Sequence, residues 1–152
     1  MTRRRGFTLV ELVVVLVIIG ALAGLALPAY GSAVARYRLQ SAAHQLRGDL
    51  DRALTYARAT GTEVTVQFDA ANHLVTFTGM PAGRVGGPDL VLDLRSGPMD
   101  ARISAVDFSG NDFYTISGFG VPSSGGSVTL RNGEGGVVLV VDAVTGLASA
   151  SP

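Results

Sequence analysis

The sequence predicts an α+β fold: one long N-terminal α-helix packed on an antiparallel β-sheet head. Three observations predict it. Residues 7–27 form an almost unbroken apolar run, apolar residues then recur at helical spacing to residue 57, and beyond Gly61 the period switches to two. A helix followed only by strands buries its apolar stripe on the sheet that those strands make.

The elements follow in order. The apolar run holds about 20 residues, and as an α-helix it would span about 30 Å, the thickness of a bilayer's hydrocarbon core. Arg3, Arg4 and Arg5 precede it, and by the positive-inside rule they hold the N-terminus in the cytoplasm and leave the remainder beyond the inner membrane. After Pro28, one helix face carries Leu39, Ala42, Ala43, Leu46, Leu50, Ala53, Leu54 and Ala57. Arg36, Gln40, Gln45, Arg47, Asp51, Thr55 and Arg58 lie largely on other faces, and Arg47 and Asp51 are spaced to pair. Gly61 is the predicted helix stop. Pro28 removes a backbone hydrogen bond and is the predicted kink, without ending the helix. A continuous helix over residues 7–60 would be roughly 80 Å long.

Beyond Gly61, Val64, Val66 and Phe68 alternate with Glu63, Thr65 and Gln67, and Asp69-Ala70-Ala71-Asn72 turns the chain into residues 74–77. This pattern predicts a hairpin. Residues 79–88 are a Gly/Pro-punctuated loop, and residues 90–92, 103–108, 113–116 and 128–130 are short predicted strands. Residues 137–141 are continuously apolar, which predicts an interior strand covered on both faces. Asn132-Gly133 and Thr145-Gly146 mark turns.

Composition narrows the function. The chain has 152 residues, and its 12 basic and 12 acidic residues balance to a net charge of zero, so no global field draws it to nucleic acid or acidic lipid. Every basic residue is Arg and there is no Cys, which excludes a disulfide framework or a thiolate metal site.

Within the apolar run Glu11 is out of place. A carboxylate costs about 2.5–3.5 kcal/mol at mid-membrane on insertion scales, and less near the interface. A cleaved secretory signal explains the basic start and the small residues near Ala33 and Ala35, but its apolar core is usually ~7–15 residues. A plain anchor explains the length and leaves Glu11 without a purpose. Gly6-Phe7-Thr8-Leu9-Val10-Glu11-Leu12 resembles the type III signal of type IV pilins and type II secretion pseudopilins. The likeness includes a short basic leader, Gly at its last position, Phe first in the mature chain, Glu fifth, and Pro28 where these families often carry a kinking proline. The resemblance implies that a prepilin peptidase cuts between Gly6 and Phe7 and methylates the new amino group of Phe7. It also gives Glu11 a use in assembly. In a filament core Glu11 would meet the charged amino terminus of Phe7 on a neighbouring subunit, and a buried carboxylate with such a partner is tolerated where a lone one is costly.

The head adds to this resemblance. Phe113-Tyr114-Thr115-Ile116-Ser117-Gly118-Phe119-Gly120-Val121-Pro122, then Ser127-Val128-Thr129-Leu130, the apolar residues 137–141 and Thr145-Gly146 resemble the C-terminal half of the minor pseudopilin H family. That family shares its GspH/FimT domain with the FimT and FimU minor pilins. The resemblance implies a pilin-like fold with a leader at residues 1–6, a transmembrane or filament-core helix at 7–28, the amphipathic half of the helix at 29–60 and a periplasmic head at 61–152.

No residue pattern in the head points to catalysis. His44 and His73 are isolated, and Asp89, Asp93, Asp100, Asp107 and Asp112 lack the spacing of a calcium loop. Ser123-Ser124-Gly125-Gly126 and Gly133-Glu134-Gly135-Gly136 do not lead into a Lys and a helix, so neither reads as a phosphate cradle. There is no nucleophile elbow. We assign no catalytic residue, no metal ligand and no cofactor. Nucleic acid is disfavoured as a partner. Loss of the leader removes three of the twelve arginines and leaves nine against twelve acidic groups, and from Asn132 to Pro152 there is no basic residue. Convergence of Arg84, Arg95, Arg102 and Arg131 is the one arrangement that would reverse this expectation.

The resemblance therefore implies a non-catalytic minor pseudopilin near the tip of a periplasmic pseudopilus. Its implied partners are the prepilin peptidase, other pseudopilins or pilins, the inner membrane and a secreted cargo protein. Two alternatives stand beside it: a FimT/FimU-like minor pilin acting in pilus initiation or DNA uptake, and a membrane-tethered binding domain that never polymerises.

Overall fold

The computed structural model describes residues 8–83, 87–97, 99–133 and 135–151, with residues 23–29 as backbone only. Helix α1 is Leu9–Thr60. The chain divides into two compact units, Met1–Val34 and Ala35–Pro152. The first contains the N-terminal part of α1. The second contains the rest of α1 and all the strands.

In the second unit α1 ends where the sequence predicts. Gly61 takes the left-handed conformation (φ 67°) and its N–H donates to the Ala57 carbonyl at 2.9 Å, a glycine C-cap. This end lies against the loop after residue 116. A side chain at Gly118 would collide with the Gly61 backbone, and the Arg58 guanidinium donates to the Gly120 carbonyl at 3.2 Å.

Eight strands follow: β1 (Val64–Asp69), β2 (Leu74–Pro81), β3 (Asp89–Asp93), β4 (Arg102–Asp107), β5 (Phe113–Ile116), β6 (Gly126–Asn132), β7 (Gly135–Val141) and β8 (Ala148–Ser151). They form two antiparallel four-stranded sheets, ordered β3-β2-β1-β5 and β4-β6-β7-β8. The α+β class is as the sequence predicts, with the strands shared between two sheets. The split arises because the chain leaves the first sheet after β3 and returns to its other edge with β5. Ile116 and Tyr114 of β5 pair with Val64 and Val66 of β1. The predicted hairpin is β1–β2, with Phe68 opposite Val75. At its turn the Asp69 carboxylate accepts the Ala71 and Asn72 N–H groups and the Asn72 amide. The Asn72 side-chain bond, followed by the backbone bonds, holds the Asp69 pKa below the usual carboxylate value.

All eight residues of the predicted helix face, Leu39 to Ala57, are at most 3% exposed, and they share one hydrophobic core with residues from both sheets. Each fully buried Leu contributes about 1.5–3 kcal/mol, while Ala42, Ala43, Ala53 and Ala57 let the sheets approach the helix closely. Where the two sheets meet, Phe68, Phe108 and Tyr114 stack, with centroids 5.3 and 4.6 Å apart. The Tyr114 hydroxyl is buried there without a hydrogen-bond partner among the described residues. Burial, and secondarily the Asp51 charge, push its pKa well above the usual value.

β7 departs from expectation. Val137, Leu139 and Val141 are buried, whereas Val138 is half-buried and Val140 is 44% exposed. The strand is interior in sheet order, between β6 and β8, but among the described residues no layer covers its outer face. β8 was not predicted: its Ala-Ser alternation carries no β signal, and pairing of Val141 with Ala148 and Val138 with Ser151 fixes it.

Candidate functional site

The sequence places the functional residues at the start of α1. Gly6 and Phe7, the predicted cleavage and methylation positions, lie outside the described residues. The description begins at Thr8, and Thr8 caps the helix. Its carbonyl accepts the Leu12 N–H at 3.2 Å and its hydroxyl accepts the Glu11 N–H at 3.3 Å. The hydroxyl also donates a long 3.5 Å bond back to Glu11 Oε2. Thr8-Leu9-Val10-Glu11 thus has the spacing of a capping box, with the Glu11 carboxylate held by the Thr8 hydroxyl, and an acidic group in the first turn also suits the helix dipole. Sequence reasoning treated Glu11 only as an assembly residue. The Ser/Thr-x-x-Glu spacing was the available signal for its second, local role.

Around Glu11 the apolar side chains are open. Leu9, Val10, Leu12 to Ile19 and Leu22 are between 45% and 78% exposed. Among the described residues no helix is long and apolar enough to cross a membrane, the described side chains of this run reaching only to Leu22. α1 continues through position 28 as backbone, and the Pro28 side chain, where a kink is predicted, lies outside the described residues.

The other weighed residues are dispersed. His44 is exposed on α1 and His73 is half-buried at the β1–β2 turn, and among the described residues no three His, Asp or Glu side chains gather as a metal site. The acidic residues of the head serve local structure. Asp89 accepts the Gly79 N–H, Asp93 the Arg95 N–H and Asp107 the Gly110 N–H. Asp100 lies 3.8 Å from Arg38. The predicted Arg47–Asp51 pair forms at 3.9 Å. Of the four arginines whose convergence the sequence left open, Arg84 lies outside the described residues and Arg95 sits in the turn after β3. Arg102 and Arg131 do meet, directly opposite each other on β4 and β6.

Residues 1–27 match the prokaryotic N-terminal methylation motif. None of the curated proteins matches the chain. Among solved structures it is similar to the type IV minor pilin FimU of Pseudomonas aeruginosa in two crystal forms. One has a TM-score of 0.58 at 18% identity, covering 77% of this chain and 90% of that one. The other has a TM-score of 0.53 at 19% identity, covering 75% and 93%. At that identity the likeness concerns the fold. The chain therefore joins an N-terminal methylation motif to a long helix and to a head whose fold is similar to that of a minor pilin.

Proposed function

We propose that the chain is a non-catalytic minor subunit of a type IV pilin-like filament, held in the inner membrane before assembly with its N-terminus cytoplasmic and its head periplasmic. The observation that carries this reading is the methylation motif over residues 1–27 together with an α1 whose apolar side chains stay exposed around one carboxylate. Such a surface needs lipid or other helices to cover it. In a filament, like helices cover it, and Glu11 pairs with the Phe7 amino group of a neighbour. A prepilin peptidase acts first, at Gly6-Phe7, and other pilin-like subunits are the assembly partners.

Two systems use such subunits. The resemblance of the head to the H family supports a type II secretion pseudopilus, with the head near the tip and facing secreted cargo. The fold likeness to FimU supports equally a minor pilin of a type IV pilus. A deletion strain decides between them: loss of extracellular enzymes with intact pili assigns secretion, and loss of surface pili with normal secretion assigns the pilus. A Gly6→Val chain should persist as an uncut precursor that retains Arg3, Arg4 and Arg5, because a side chain before the cut blocks approach to the peptide bond. Normal processing of that variant, read by intact mass, would remove the basis for the whole reading.

A further inference from the structure

A cleft of about 530 Å³ opens in the head between the β1–β2 turn of one sheet and the β4 and β6 strands of the other, lined by His73, Asp100, Arg102, Ser104, Arg131 and Asn132 among others. Its chemistry is unusual for this acidic head. Arg102 and Arg131 are directly opposed in register, so their Cβ atoms stand about 4.5–5.5 Å apart on the same face, an arrangement that like charges destabilise. Among the described residues neither guanidinium has an ion-pair partner; the only two pairs are Arg38–Asp100 and Arg47–Asp51. Asp100, the one acid among the described residues that line the cleft, pairs instead with Arg38 of α1. Independently, the Nδ1 atom of His73 is buried without a hydrogen-bond partner among the described residues, and leaving a buried polar atom unpaired is costly.

We propose that this cleft binds a carboxylate of an acidic segment on a partner protein. Two guanidinium groups lining one cleft offer forked donors matched to a carboxylate, and an arriving anion relieves their mutual repulsion. A nucleic-acid strand fits less well. It requires a basic track that follows several phosphates, whereas β4 itself ends in Asp107 and no Arg follows Arg131. The inference concerns the isolated subunit and stands whether or not the chain polymerises.

The test uses the full chain in detergent micelles at low ionic strength, with thermal unfolding of the head followed by circular dichroism. The probes are a tetraglutamate peptide, its tetraglutamine counterpart and a single-stranded oligonucleotide of equal charge. At about a hundredfold excess over Kd the acidic peptide should raise Tm by roughly 5–10 °C, and the Gln peptide should not. Arg102→Gln and Arg131→Gln should each lose most of that rise while their own Tm stays level or increases slightly, because the like-charge pair is gone. A variant that merely unfolded would lower Tm instead, and in that case Arg131→Lys, which keeps the charge, should retain part of the response. The proposal is overturned if the peptide gives no rise, if Arg102→Gln/Arg131→Gln responds like the parent, or if the oligonucleotide stabilises more than the peptide, which would assign the cleft to nucleic acid.

Discussion

The two parts of α1 are built from similar residues and meet opposite fates. From Leu9 to Leu22 the leucines and valines are largely exposed, whereas from Leu39 to Ala57 the apolar face is sealed to 3% exposure or less. Periodicity separates them. The second part alternates apolar and polar faces at helical spacing, so a single sheet-bearing head satisfies it. The first is apolar all round and cannot be satisfied by one face. Its cover must come from outside the monomer, as the proposed filament provides. Polar groups differ in the same way. In the head, the Asn72 side chain and then backbone N–H groups hold the Asp69 pKa low, and the backbone N–H groups of Thr145 and Val144 do so for Asp142. Among the described residues, the Glu11 side chain, in the first unit, is hydrogen-bonded only to Thr8.

The largest test of that contrast removes the second part of the helix. A chain beginning at Gly61 should aggregate, because Val64, Val66, Phe77, Leu130 and Leu139 lose their cover, while one beginning at Ala35 should be monomeric and folded by size-exclusion chromatography and circular dichroism. Equal solubility of the two would break the helix-on-sheet account of the core. Next comes a matched pair in the full chain. Leu46→Ala, at a fully buried position, should destabilise the head by about 2–5 kcal/mol in denaturant unfolding. Leu16→Ala, at a 60% exposed one, should leave head stability within about 0.5 kcal/mol and lower filament incorporation instead. The smallest effect is expected at Tyr114→Phe. Removing a buried hydroxyl that lacks a partner should leave stability unchanged or raise it by about 1 kcal/mol. Because burial raises the native Tyr114 pKa, the unfolded chain loses its phenolic proton first. The parent should therefore lose stability as pH rises past about 10, and Tyr114→Phe should lose less.

Legibility follows from how local each determinant is. The buried face of α1, its stop at Gly61, the β1–β2 hairpin and the Arg47–Asp51 pair rest on spacing within a few residues and could be read directly. The division into two sheets could not, because it depends on β5 returning to pair with β1, a contact distant in sequence. β8 was missed because Ala-Ser-Ala-Ser has no strand signature apart from its neighbour. Exposure of Val140 was missed because a run of valines reads as buried on both faces whether or not a second layer exists. At the site, leader, aromatic and carboxylate were legible as a motif, and the capping role of Glu11 was legible in principle from Thr8 three residues earlier. The cross-strand meeting of Arg102 and Arg131 needed the β4–β6 register.

The central claim is that the charge of Glu11, beyond its hydrogen bond to the helix start, is used between subunits. Glu11→Gln and Glu11→Ala separate these roles, because Gln can still accept the Thr8 hydroxyl while lacking the charge and Ala removes both. The measurement is the fraction of each variant recovered in sheared or crosslinked filaments, relative to the fraction left in membranes, with cleavage verified by intact mass. Both variants should be cut normally and both should fall well below the parent in filaments, with Glu11→Gln nearly as impaired as Glu11→Ala, because an ammonium in a low-dielectric core has lost its partner. Parental incorporation of Glu11→Gln beside a defective Glu11→Ala would contradict this, and would make Glu11 a helix cap and nothing more.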